Sequence, residues 1–312
     1  MAVGWVDRWR GAWALVAMVG CVGVFAQGPD ESERALIDFG RALFFDQRLS
    51  ASGQVSCASC HQPERAFTDG RATAVGVTGQ PGTRNSPSLL DVATVTALFW
   101  DGRVASLEQQ ALLPFTTPVE MGLPSLAALL DRVRDLSSYT DDVQQAFNKN
   151  SAELRAEDIA FALAAFQRSL TAGPSAFDRY TLQGQPTALS AGALRGMALF
   201  KGQAGCSSCH RMEVGAASFT DHDFHAIGFR GDPAQLAQAI ERLEQTPAQQ
   251  VGQRVLTDPQ VAALGRYIST RALSDIGKFR TPSLRNVART APYMHDGTIP
   301  TLEAAIDYEL YY

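Results

Sequence analysis

Cys57-Ala58-Ser59-Cys60-His61 and Cys206-Ser207-Ser208-Cys209-His210 are two copies of the pentapeptide Cys-x-x-Cys-His. Two cysteines at this spacing can each form a thioether to one haem vinyl group. The histidine that follows is placed to bind the iron from one face. The pattern is the attachment signature of c-type haem. A zinc site or a disulfide framework also uses closely spaced cysteines. Here the motifs take four of the five cysteines and two of the five histidines, which favours two haems over either alternative.

The same landmarks recur around each motif. Gly40-Arg41-Ala42-Leu43-Phe44 precedes the first, and Gly196-Met197-Ala198-Leu199-Phe200 precedes the second. Phe67-Thr68-Asp69 follows the first, and Phe219-Thr220-Asp221 follows the second. Farther on, Pro87-Ser88-Leu89 with Val92-Ala93 matches Pro282-Ser283-Leu284 with Val287-Ala288. Trp100-Asp101-Gly102 then matches His295-Asp296-Gly297, and Ser106-Leu107-Glu108 matches Thr301-Leu302-Glu303. Turn residues at fixed offsets are not a by-product of helical composition, so the pattern argues for duplication of one haem-binding unit.

With 312 residues, 46% of them hydrophobic, the chain can build two ordinary cores. Helical apolar spacing marks residues 31–45, 126–133, 159–170, 191–200 and 236–243. Residues 76–86, rich in Gly, Thr and Pro, read as an ordered loop. Residues 232–254 read as an amphipathic helix decorating the surface. A boundary falls at Ala172-Gly173-Pro174. The expected fold is mainly α: two cytochrome c-like domains related by internal duplication, each with one covalent c-type haem. They span residues 27–172 and 173–312.

Residues 1–26 read as a signal peptide. Arg8 and Arg10 precede an apolar run over residues 11–25, and Val24-Phe25-Ala26 fits a cleavage site. The run is short of the ~20 residues a bilayer needs, so the processed protein is not expected to be an integral membrane protein. Lipidation at Cys21 is the less favoured alternative, because Met18 is a poor start to such a site. Export agrees with thioether attachment, and the expected location is the periplasm. The net charge is −5. Removing residues 1–26 takes away Arg8, Arg10 and Asp7 and makes the chain one unit more negative. An acidic surface disfavours nucleic acid and anionic lipid.

Together these segments resemble the bacterial di-haem cytochrome c peroxidases and their relatives, including MauG, which oxidises residues of another protein. The resemblance rests on both haem motifs, Phe99-Trp100-Asp101-Gly102-Arg103, residues 107–114 with Gln110, Pro118-Val119-Glu120-Met121, and residues 279–297 (FRTPSLRNVARTAPYMHDG). It implies that Glu120 and Gln110 stand beside bound peroxide on the first haem, and that Trp100 relays electrons between the haems. His61 and His210 are the implied proximal ligands. At the position of the peroxidases' displaceable histidine this chain has Val77, so the first iron is expected to stand open, with Met121 as local competitor. The second haem's implied sixth-ligand position is Glu309, beside Tyr308, with Met294 in reserve. Asn85, Thr290 and Pro292 fall on positions that bind calcium between the domains. His222 and His225 are expected near haem propionates or solvent, and His295 is expected to order its own turn near the second haem. Members of that family continue beyond the position of Tyr312 into another helix.

The implied activity is reduction of hydrogen peroxide with electrons from a small redox protein, a cytochrome c or a copper protein. The alternative is a MauG-like enzyme that uses high-valent haem to oxidise side chains of a partner protein. A non-enzymatic electron carrier or redox sensor is the third reading, since a carrier needs neither an open iron nor Glu120.

Overall fold

A computed structural model describes residues 30–213, 217–228 and 231–312, besides Met1. The leader expected over residues 1–26, with Cys21, lies outside the described residues. Among the described residues no helix is long and apolar enough to cross a membrane.

Helix α1 (Glu31–Phe45) starts where Asp30 accepts a hydrogen bond from the Glu33 amide at 2.8 Å, with Glu31 and Glu33 in the first turn. Carboxylates there satisfy free amides and oppose the helix dipole. Its apolar face carries Phe39, Gly40, Leu43 and Phe44, all buried. That face crosses α6 (Ala156–Ser169) at Gly40. A Cβ at Gly40 would overlap the Ala162 carbonyl, so only glycine lets the two backbones approach. Phe44 meets Phe166 there at 5.0 Å, and Phe39 meets Tyr139 edge-on at 5.7 Å. Gly40→Ala is expected to lower stability by about 1–3 kcal/mol, the usual cost of overpacking a core. An unchanged thermal midpoint of the haem-loaded protein would refute so close a crossing.

Between these helices the chain runs through α2 (Cys57–Cys60), α3 (Leu107–Thr116), α4 (Leu126–Asp135) and α5 (Thr140–Phe147). They wrap one core, to which Leu129, Val133, Val143 and Leu163 contribute. After an irregular connection come α7 (Ala176–Thr181) and α8 (Ala191–Lys201). A second core gathers α9 (Pro233–Glu244), α10 (Val251–Thr257), α11 (Pro259–Ala263) and α12 (Tyr267–Thr270). The segment 232–254 is therefore not one decorative helix. Leu243 on α9 and Val255 on α10 are fully buried, and a turn at residues 248–250 folds one piece onto the other. Strands β1 (Phe224–His225) and β2 (Phe279–Arg280) pair antiparallel, and α13 (Leu302–Tyr311) ends the chain.

The recurring landmarks take the same local shapes. Ser88 Oγ donates to the Ala66 carbonyl at 2.6 Å, and Ser283 Oγ to the Ser218 carbonyl at 2.7 Å. Asp91 and Asn286 both take left-handed backbone, φ 57° and 58°. Bridges Leu98–Val104 and Tyr293–Ile299 close equivalent turns, and Ser106 and Thr301 cap α3 and α13. Packing differs between the halves. Leu43 is fully buried, whereas its counterpart Leu199 is 55% exposed.

One ion pair ties α7 to the segment that follows β2. Arg285 grips Asp178 with two bonds of 2.8 and 2.9 Å. That grip, with the Ser175 cap, holds the carboxyl well below its ordinary 3.8. A depressed folded value means the stabilisation is complete above pH 3.8 and is lost as pH falls below it. The thermal midpoint should drop more steeply below that pH in the wild type than in Asp178→Asn. Equal slopes would remove this pair from the acid response.

Candidate active site

Ser56 opens the turn of α2, with its amide bonded to Ser59 Oγ at 3.0 Å, so that Cys57 and Cys60 fall on one helical turn. His61 follows directly. Its Nδ1 lies 3.0 Å from the Phe67 carbonyl oxygen. A carbonyl can only accept, so Nδ1 carries the proton and Nε2 offers its lone pair. The chain delivers that carbonyl by a left-handed turn at Ala66 and Phe67, φ 54° and 59°. Burial lowers the His61 pKa and favours the neutral, ligating form. A backbone partner on the second nitrogen is the usual way to aim a metal-binding imidazole.

Cys57, Cys60 and His61 border a cavity with about 1460 Å³ of empty space, mouth included. Phe44, Leu89, Leu98, Leu107 and Leu163 line it, the apolar surroundings that a porphyrin face needs. Burial pushes both thiols up to about 12. Among the described residues, Cys57, Cys60 and His61 do not converge closely enough to hold a metal ion between them. All four described cysteines are unpaired, which also disfavours a disulfide framework. The residues fit a haem joined by thioethers and held by His61.

Gln110, Glu120, Trp100 and Met121 stand on the wall of the same cavity. Gln110 projects from α3, and Glu120 lies in the turn that follows it. Two amides brace that turn: Glu120 donates to the Thr117 carbonyl at 3.0 Å, and Val77 donates to the Glu120 carbonyl at 2.9 Å. Gly76 makes room, because a Cβ there would overlap the carbonyls of Val119 and Glu120. Val77 thus fixes the backbone of Glu120. His61 is the only histidine among the residues bordering the cavity. Burial raises the Glu120 pKa above its ordinary 4.5, against a hydrogen bond from Thr117 and the charge of Arg103.

Trp100 sits on the seam between the halves. Its indole Nε1 donates to the Asn85 carbonyl at 2.9 Å, and its own carbonyl accepts from the Arg280 amide of β2 at 2.9 Å. Asn85 in turn donates its amide to the His295 carbonyl at 2.9 Å. His295 stacks on Phe279, with ring centres 3.6 Å apart. Burial and the nearby Arg84 charge lower the His295 pKa to about 3, so it packs as a neutral ring. Asn85 Nδ2 donates to the carbonyls of Arg71 and Ala72, which leaves Oδ1 to accept. Thr290 donates its hydroxyl to the Val287 carbonyl at 3.1 Å. Pro292 follows two residues later in the same segment. Met294 occupies a turn, accepting from the Gly297 amide.

The second motif repeats the first. His210 Nδ1 lies 2.9 Å from the Phe219 carbonyl, again delivered by left-handed backbone, φ 52°. Cys206 and Cys209 are half-buried. His225 Nε2 meets Asp221 at 2.8 Å, and both reach within 4.8 Å of the Cys209 sulfur. His222 takes left-handed backbone, φ 60°, and its Nδ1 is buried. Tyr308 on α13 directs its hydroxyl to the Ile227 carbonyl at 3.2 Å. Glu309 is open to solvent on one side, while atoms on the other push its carboxyl above the ordinary value.

Sequence reasoning missed Arg84, Arg280 and Leu256 on the wall of the first cavity. Arg84 was hidden in an anonymous loop. Arg280 and Leu256 come from far along the chain, and only the adjacency of Arg280 to Thr281-Pro282-Ser283 hinted at it.

Residues 34–187 match the family model described as di-haem cytochrome c peroxidase. The methylamine utilization protein MauG of Methylorubrum extorquens is 39% identical over 272 residues, covering 87% of this chain and 67% of that one. The cytochrome-c peroxidase IdrP1 of Pseudomonas sp. (strain SCT) is 36% identical over 293 residues, covering 90% and 72%. The crystal structure of a MauG-like protein associated with microbial copper homeostasis superposes with a TM-score of 0.71 at 36% identity, covering 88% of this chain and 75% of that one. Paired Cys-x-x-Cys-His turns with matching histidine–carbonyl bonds, seen in the light of these likenesses, place the chain in the di-haem cytochrome c peroxidase and MauG family, oxidoreductases with two covalently bound haem c groups.

Proposed function

We propose that this chain reduces hydrogen peroxide at the His61 site, taking two electrons and two protons to give two waters. The observation that carries this reading is the presence of Glu120 and Gln110 on the wall of the His61 cavity. Haem c bound there supplies the iron through which electrons reach the O–O bond. Glu120 takes the proton from one peroxide oxygen and returns it to the other, which makes water the leaving group. Gln110 cannot titrate, and its amide holds the peroxide or a water in line. Val77 brings no competing imidazole and instead locks the Glu120 backbone. Trp100, bonded to Asn85 and Arg280 at the seam, is the proposed electron path between two haem domains that divide near residue 172.

Tyr308 is the proposed sixth ligand of the second haem, in preference to the more exposed Glu309. An oxygen ligand would lower that haem's potential relative to methionine. Asn85, Thr290 and Pro292 are proposed to hold a calcium ion at the seam through oxygen donors. The apolar run over residues 11–25 behind Arg8 and Arg10 and the extracytoplasmic chemistry of thioether formation support a periplasmic location.

A second reading has its own support. Two relatives at 39% and 36% identity are named MauG, and no methionine occupies the Tyr308–Glu309 position. In this reading the oxidising equivalents go to a side chain of a partner protein. Mixing the reduced protein with peroxide and then with a small reduced cytochrome separates the readings. Rapid turnover of the cytochrome supports peroxide reduction. A long-lived oxidised species with little turnover supports the MauG-like reaction. Inertness toward peroxide would leave an electron carrier and sink both.

A further inference from the structure

Two buried cations border the first cavity without a counter-charge of their own. Arg84 is 7% exposed and Arg280 8%. Arg84 Nη2 donates to the Ala262 carbonyl at 2.5 Å, and its nearest carboxylate, Asp101, lies 3.9 Å away. Arg103 already holds that carboxylate at 2.8 Å. Arg84 Nη1 has no hydrogen-bond partner among the described residues. Arg280 donates Nη1 to the Thr281 carbonyl at 3.3 Å, and its Nε has no partner among them either. Burial lowers both guanidinium groups to about 10. An unpaired cation taken out of water is costly unless something anionic meets it. Both residues share the cavity wall with Cys57, Cys60 and His61.

Haem carries two propionate carboxylates, and a guanidinium is the side chain best shaped to receive them. We propose that Arg84 and Arg280 bind the propionates of the first haem, one cation from each half of the chain. Arg280 reaches the cavity because β2 crosses the seam, where its amide donates to the Trp100 carbonyl at 2.9 Å. The first cofactor is thereby gripped by the half that holds the second. This inference rests on the haem reading of the first motif and adds its anionic edge.

The test compares wild-type holoprotein with Arg280→Gln, Arg84→Gln and the corresponding Lys variants. Mass spectrometry first counts the haems. A wild type with fewer than two haems would sink the underlying cofactor reading rather than this one. Resonance Raman spectra then read the propionate-bending band, which follows hydrogen bonding to the carboxylates. In each haem-loaded Gln variant the band is expected to move. The reduction equilibrium of the first haem should shift about tenfold toward the oxidised form, equivalent to 59 mV for one electron. The Lys variants should restore most of the potential but not the band, because a point charge cannot reproduce the fork. Where a Gln variant does not fold, its Lys variant carries the test through the band alone. An unmoved band in haem-loaded variants overturns the proposal. So does a slower peroxide reaction with an unmoved band, which would put these cations on the peroxide instead.

Discussion

Glu120→Gln is expected to slow the reaction with hydrogen peroxide by about 100- to 10,000-fold, the usual contribution of a positioned acid–base group, while both haems stay attached. The substitution keeps the shape of the side chain and its place after α3, where Val77 and Thr117 brace the backbone. It removes only the capacity to carry a proton. The pH profile gives the same group a second signature. Taking a proton from peroxide requires the ionised carboxylate, and burial favours the neutral form. The rate should therefore rise with pH through a midpoint above the ordinary 4.5. That limb should vanish in Glu120→Gln. A variant with the wild-type rate and profile would remove Glu120 from proton transfer and leave Gln110 without its partner.

Asp101→Ala is expected to destabilise the protein by about 3–5 kcal/mol, the range for removing one partner of a buried ion pair. Asp101 has no exposed surface. Its carboxylate takes two bonds from Arg103 at 2.8 and 3.0 Å, with Arg84 3.9 Å away. Its backbone carbonyl receives Arg266 at 3.1 Å and Ser269 at 3.0 Å from the second half. Losing the carboxylate leaves Arg103 without its partner at the seam beside Trp100. Denaturant unfolding of the haem-loaded variant reads the cost directly. A loss below about 1 kcal/mol, the range of exposed pairs, would mean that water reaches this site freely.

Helix α1 was legible to the residue, because its apolar spacing agrees with its tertiary role. The cysteine–histidine turns were equally plain, since covalent chemistry fixes their spacing. Contacts between distant segments were not. Nothing local to Ala239 or Leu243 says that they join a core with residues 255–268, so residues 232–254 looked like decoration and proved to supply part of it. Gly40 and Gly196 occupy equivalent places in sequence, yet only Gly40 lies under a crossing helix. The roles of Glu120 and Gln110 came from resemblance. Their residue types fit any polar surface, and a shared cavity with His61 is a property of the fold. Arg280 shows the same limit, since its cavity is built around residues more than two hundred positions earlier in the chain.

The peroxide site proposed at His61 requires an iron with one face open beside Glu120. Electron paramagnetic resonance of the fully oxidised, doubly haem-loaded protein tests this most directly. It should show one high-spin ferric signal from the open first haem beside one low-spin signal from the second. Two low-spin signals, with no high-spin component at neutral pH, would mean that Met121 or another group closes the first iron, and the peroxide site described above would not exist.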